Sequence, residues 1–83
     1  MTKTYEYRVC QVQMSKVTFV NGQWQGSISL EEVKHGGTSM DHALASCPLE
    51  WDYLQKAGAH GWHLAGAVLA GEVRIFYLQK ENA

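Results

Sequence analysis

Apolar and polar positions alternate along residues 4–14 as they do in a strand, with Tyr5, Tyr7 and Val9 on one side and Glu6, Arg8 and Cys10 on the other. The aromatic set is expected to face a core. Next come Lys16-Val17-Thr18-Phe19-Val20 and residues 23–28, which flank Asn21-Gly22. Asn-Gly supplies the two positive φ angles of a type I′ turn, so these segments predict a β-hairpin. Through residues 29–46 the periodicity dissolves, and Gly36-Gly37 breaks whatever precedes it, so a surface loop is expected there.

A helix is predicted to begin near Cys47-Pro48. Proline at the first helical position gives up only an amide hydrogen that has no partner there, and Glu50 sits in the favourable first turn. Leu49, Tyr53 and Lys56 share one row, and Trp51, Leu54 and Ala57 an adjacent one. They give an apolar stripe with Asp52 and Gln55 toward water. The helix should end around Gly58-Ala59-His60-Gly61, where Gly61 can take a left-handed cap conformation.

Residues 62–69 and 73–80 then read as two strands of a second hairpin, turning near Ala70-Gly71. A two-residue turn would set Ala70 at positive φ, whereas a three-residue loop would use Gly71; the choice flips every side chain of the last strand. With either, simple alternation sets His63, Ala65 and Ala67 opposite Trp62, Leu64 and Val68.

These elements define an α+β fold: an antiparallel-rich sheet, built from a hairpin insertion, a helix and a closing hairpin, with one helix packed on one face. A chain of 83 residues and 9.3 kDa makes one domain, 1–83, with no room for a second core. A single helix covers one sheet face only, yet Val73, Ile75 and Tyr77 alternate with Phe76 and Leu78, so both faces are apolar. The second face needs a cover from residues 16–46, a ligand or another copy of the chain. Ala65 and Ala67 are small enough to let another backbone approach, which favours a homo-oligomer.

Charge narrows the partners. Seven Lys plus Arg against eight Asp plus Glu give a formal charge of -1, which disfavours binding to a nucleic-acid polymer. Residues 1–8 contain no apolar core of a signal peptide and no run is long enough to span a bilayer, so a cytoplasmic protein without membrane association is expected. Cys10 and Cys47 form no CxxC pair; two buried free thiols are expected, and a disulfide would require the fold to bring them together.

Candidate chemistry is sparse. His35, His42, His60 and His63 lack metal-ligand spacing, so no metal centre and no cofactor is expected. Asp41 and His42 precede Cys47, and a thiol at a helix amino terminus can have a lowered pKa, which makes Cys47 a candidate nucleophile. Gly36-Gly37 lacks the Gly-Lys-Ser/Thr continuation of a phosphate loop. Trp51, Tyr53 and Trp62 are assigned to the helix–sheet contact. Trp24, between Gln23 and Gln25, could instead stack on a planar ligand, with Arg8 or Arg74 supplying charge.

Tyr5-Glu6-Tyr7-Arg8-Val9, the segment Leu54-Gln55-Lys56-Ala57-Gly58-Ala59-His60-Gly61-Trp62-His63-Leu64, and Arg74-Ile75-Phe76-Tyr77 together resemble the family catalogued as domain of unknown function 4177. The resemblance covers roughly half the chain, and its most specific part is Gly58-x-x-Gly61-Trp62-x-Leu64. It implies a β-α-β-β unit whose last strand ends in a basic residue, here Lys80, and it implies no settled activity. Residues 16–46 exceed the family's shorter connection.

The reading is a non-enzymatic, homo-oligomeric binding module that takes up a small planar, nucleotide-like ligand at a subunit cleft through Arg8, Trp24, His63 and Arg74. The alternatives are a protein–protein interaction module using the open sheet face and a small Cys47-dependent enzyme.

Overall fold

In the computed structural model, which describes residues 2–82, five strands and three helices follow one another as β1 (Tyr5–Gln13), β2 (Lys16–Val20), β3 (Gln23–Trp24), α1 (Leu30–Lys34), α2 (Met40–Ala45), α3 (Glu50–Ala59), β4 (His63–Ala70) and β5 (Val73–Glu81). All neighbours in the sheet are antiparallel, in the order β3-β2-β1-β5-β4. The α+β class stands. The two hairpins meet along β1 and β5, with Arg8 opposite Leu78, Cys10 opposite Phe76 and Val12 opposite Arg74.

Residues directly opposite one another share a face, and that row is the one beneath α3. Cys10, Val12, Val17, Phe76 and Leu78 are buried together with Ala57 and Trp62, and Val20, Tyr53 and Leu54 pack around them. The alternation of β1 is therefore as expected but its inner side is the opposite one: Cys10 is fully buried, while Tyr5, Val9 and Tyr7 are exposed, Tyr7 to 59%. Tyrosine tolerates this because its ring carries a polar tip that water can reach. Trp51 also departs from expectation, standing 69% exposed on the outer side of α3, where Tyr53, Leu54 and Ala57 face the sheet.

The start of α3 lies later than the proline rule predicts. The Pro48 carbonyl accepts from the Val17 amide at 2.8 Å, and Leu49 bridges to Lys16, which holds this stretch extended until Glu50. No side chain caps the helix; the Ser15 carbonyl instead accepts from the Glu50 amide at 2.9 Å. That carbonyl belongs to the β1–β2 turn, whose residues Met14 and Ser15 have φ of 52° and 62°. Both lie in the left-handed region that non-glycine residues avoid, so the chain holds a strained turn where it anchors its main helix.

Asn21-Gly22 forms the predicted hairpin, with φ of 51° and 80°. The Asn21 side chain also accepts from the Val9 amide at 2.8 Å, tying the turn to β1. Residues 29–46 are more ordered than the loop reading allows. Ser29 and Ser39 cap α1 and α2 by accepting from the Glu32 and His42 amides. Gly36, at φ 79°, and Gly37 then close α1 by donating to the Val33 and Glu32 carbonyls, a Schellman termination. This middle segment extends the sheet and packs α2 against β2, burying Ala43 and Cys47. It does not cover the face bearing Tyr5, Tyr7, Val9 and Tyr77.

The closing hairpin turns through Gly71-Glu72, with Ala70 paired to Val73 and only Gly71 at positive φ, 65°. This is a two-residue loop that spares Ala70. A bulge between Leu64 and Gly66 breaks the alternation along β4. Leu64 pairs with Leu78 and Ala67 with Phe76, so these two share the helix face, while Val68 joins His63 on the other. The opposition expected between Ala67 and Leu64 is corrected by that one extra residue. Among the described residues no helix is long and apolar enough to cross a membrane.

Candidate functional site

Helix α3 ends in a second Schellman motif that builds the principal cavity. The Gly61 amide donates to the Gly58 carbonyl and the Trp62 amide to the Ala57 carbonyl, with Gly61 at φ 91° as the sequence predicts. This termination sends Trp62 back under the helix, beside Ala57. From β1 Arg8 lies over the indole, its guanidinium carbon 4.2 Å from the ring centroid, and from β5 the Lys80 ammonium lies 5.8 Å away. Both are within cation–π range.

Around this stack opens a cavity of about 400 Å³, closed on the helix side by Tyr53, Lys56 and His60 and on the sheet side by Glu6, Arg8 and Lys80. Arg8 Nη1 donates to the Tyr53 hydroxyl at 3.0 Å, which fixes the guanidinium. Burial pushes the Tyr53 pKa up, and the nearby Cys10 adds to the rise against the pull of Arg8, so the phenol stays neutral. His60 Nδ1 lies 2.8 Å from the Lys56 carbonyl, which only accepts, so Nδ1 carries the proton of that bond.

Three cations, Arg8, Lys56 and Lys80, thus face one carboxylate, Glu6. Among the described residues none of the three forms an ion pair, whereas Lys3 and Arg74 do, with Glu81 and Glu50. A pinned guanidinium lying on a buried indole, with two lysines beside it, suits a flat anion: the outer face of the guanidinium gives a stacking surface, and the lysines add mobile charge.

The four residues predicted from the sequence are placed separately. Arg8 is in the cavity. His63 is at the same end of the sheet on the opposite face, and Lys80 lines both the cavity and the hollow beside His63. Arg74 lies at the far end, ion-paired with Glu50. Trp24 is half-buried: its indole donates to the Ile28 carbonyl at 2.8 Å, and its ring meets Phe19 edge-on at 5.4 Å. It folds residues 24–28 back on themselves, so tightly that a Cβ at Gly26 would come within 2.7 Å of the indole.

The sequence reading missed Lys56, His60 and Lys80 as a group and placed Tyr53 and Trp62 in the core alone. The signals were present in the polar side of β1, the Gly61 cap and the basic end of β5, but only their register brings them together. Cys10 and Cys47 are both free and buried. Burial raises the Cys47 pKa, and its thiol points at the Ala43 carbonyl, so the lowered pKa expected at a helix start is corrected; the thiol lies before the helix, not in its first turn. Among the described residues no three His, Cys, Asp or Glu side chains converge as a metal site would require.

No family model, curated protein or solved structure matches the chain. The likeness to domain of unknown function 4177 accordingly rests on the residues quoted for it.

Proposed function

We propose that the chain is a non-enzymatic binding module, working as a homo-oligomer, that takes up a small planar anion of nucleotide type in the cavity between α3 and the β1–β5 end of the sheet. The observation that carries this reading is the Arg8–Trp62 stack flanked by Lys56 and Lys80, which have no ion-pair partner among the described residues. A base would stack on the outer face of the Arg8 guanidinium, whose inner face covers the buried Trp62 ring, a phosphate would engage the lysines, and Tyr53 and His60 line the same cavity. The cavity volume falls in the range of about 300–1,000 Å³ usual for small-molecule clefts.

Isothermal titration at low ionic strength against nucleoside mono- and diphosphates, with inorganic phosphate alongside, tests it. Heat is expected for nucleotides and less for phosphate. Lys56→Ala and Lys80→Ala should each weaken binding by roughly two- to tenfold, the usual worth of a partly solvated charged contact. A folded protein giving no heat with any member would overturn the reading. The second reading, docking of another protein, is favoured by the exposed face of Tyr5, Tyr7, Val9 and Tyr77.

A further inference from the structure

The two edges of the sheet are guarded differently. β3 is two residues long and offers little backbone to pair with. β4 is eight residues, His-Leu-Ala-Gly-Ala-Val-Leu-Ala, with no charged residue and no proline, and its bulge lies toward the start, leaving residues 66–70 regular. Soluble proteins ordinarily protect an edge of this length with lysines, prolines or a covering loop. Among the described residues nothing does so here: Leu64 is 63%, Val68 50% and Leu69 76% exposed.

The backbone specifies what fits. Ala70 and Val73 flank a two-residue loop and so exchange hydrogen bonds; alternation then turns the N–H and C=O of Val68 toward β5 and those of Ala67 and Leu69 outward. Of the elements a protein can offer, a strand pairs with the whole of such a row in place of water. It must also be uncharged and small at places, because apolar side chains project from both faces of β4. β4 itself meets these requirements. The chain exposes 5792 Å², against about 5000 Å² for a compact monomer of this mass, as its elongated 53 × 25 × 19 Å shape requires, and Leu64, Val68 and Leu69 along β4 contribute apolar area to that surface.

We propose that β4 pairs antiparallel with β4 of a second copy about a two-fold axis through Val68, joining two five-stranded sheets into one. Ala67 then lies opposite the partner's Leu69, large against small on the helix face, and Val68 meets the partner's Val68 on the other face at the close spacing of a non-hydrogen-bonded pair. A register displaced by one residue would oppose unlike faces. This pairing rests on the self-association half of the proposed function and not on its ligand.

Light scattering of the full chain, followed over dilution, tests it with three variants. The wild type should have twice the 9.3 kDa chain mass. Ala67→Pro removes only an outward N–H, so circular dichroism should be retained while the dimer dissociates, its dissociation constant rising at least about tenfold. Val68→Lys, which sets two ammonium groups face to face, should do the same and serves if the proline variant misfolds. A wild type monomeric at every concentration would overturn both the pairing and the self-association reading, even if nucleotide still bound. A dimer that survives both β4 variants but dissociates with Tyr7→Lys would overturn the edge pairing alone and move the interface to the open face.

Discussion

Gly58 and Gly61 are three positions apart, and the same substitution should shift stability in opposite directions. Gly58 lies inside α3 with ordinary helical φ, and a Cβ there would meet nothing within 4 Å. Alanine should stabilise it by about 0.5–1 kcal/mol, because glycine loses more backbone freedom on folding. Gly61 is at φ 91°, and a Cβ would touch only the Lys80 side chain at 3.7 Å, an ordinary contact. The cost of Gly61→Ala is therefore backbone strain alone, about 1–2 kcal/mol. For a domain of this size each kcal/mol moves Tm by about 4–8 °C, so Gly61→Ala should melt roughly 4–16 °C lower and Gly58→Ala several degrees higher. Thermal or urea unfolding at one fixed protein concentration provides the comparison, since any self-association makes Tm concentration-dependent. Gly61→Ala also weakens the turn that places Trp62, so it should reduce nucleotide affinity, whereas Gly58→Ala should not. A Gly61→Ala protein as stable as the wild type would refute the claim that a left-handed cap positions Trp62.

Two further outcomes concern strain and burial. Replacing Met14-Ser15 by Asn-Gly gives the left-handed β1–β2 turn residues suited to it and should raise stability by about 1–2 kcal/mol in urea unfolding; a loss would show that the anchor to Glu50 needs the native side chains. Burial raises the thiols of Cys10 and Cys47 in the folded chain, so folding favours their protonated forms. Their contribution is intact below the ordinary thiol pKa of about 8.5 and is lost as pH rises through the raised folded values. Tm should accordingly fall in that alkaline range, and Cys10→Ala should flatten the decline measured relative to its own value near neutrality. An unchanged slope in that variant would remove Cys10 as a cause.

The elements that local chemistry dictates were readable from the chain. Asn21-Gly22 and Gly61 each require a conformation few residues accept, and both appear where the sequence puts them. The serine caps of α1 and α2 were equally local, yet their helices are too short to show periodicity, so the segment reads as loop. Alternation showed that β1 has two sides but not which one α3 covers: a tyrosine ring and a cysteine–valine row compete for the inside, and helix placement decides. The bulge at Leu64–Gly66 left no composition signal and reversed the parity of β4. The cavity was the least legible feature, because Arg8, Lys56, Trp62 and Lys80 come from β1, α3, the α3–β4 turn and β5 and meet only through the β1–β5 register and the α3 termination.

Binding in the cavity is read most directly at Trp62, which lies under Arg8. Indole N–H resonances of the three tryptophans, assigned by single substitutions to phenylalanine, can be followed during titration with a nucleoside monophosphate. The Trp62 signal should shift and saturate together with the calorimetric isotherm while those of Trp24 and Trp51 stay in place. A stationary Trp62 signal at concentrations where heat is evolved, or a shift confined to Trp51 on the outer face of α3, would contradict the assignment of the cavity as the binding site.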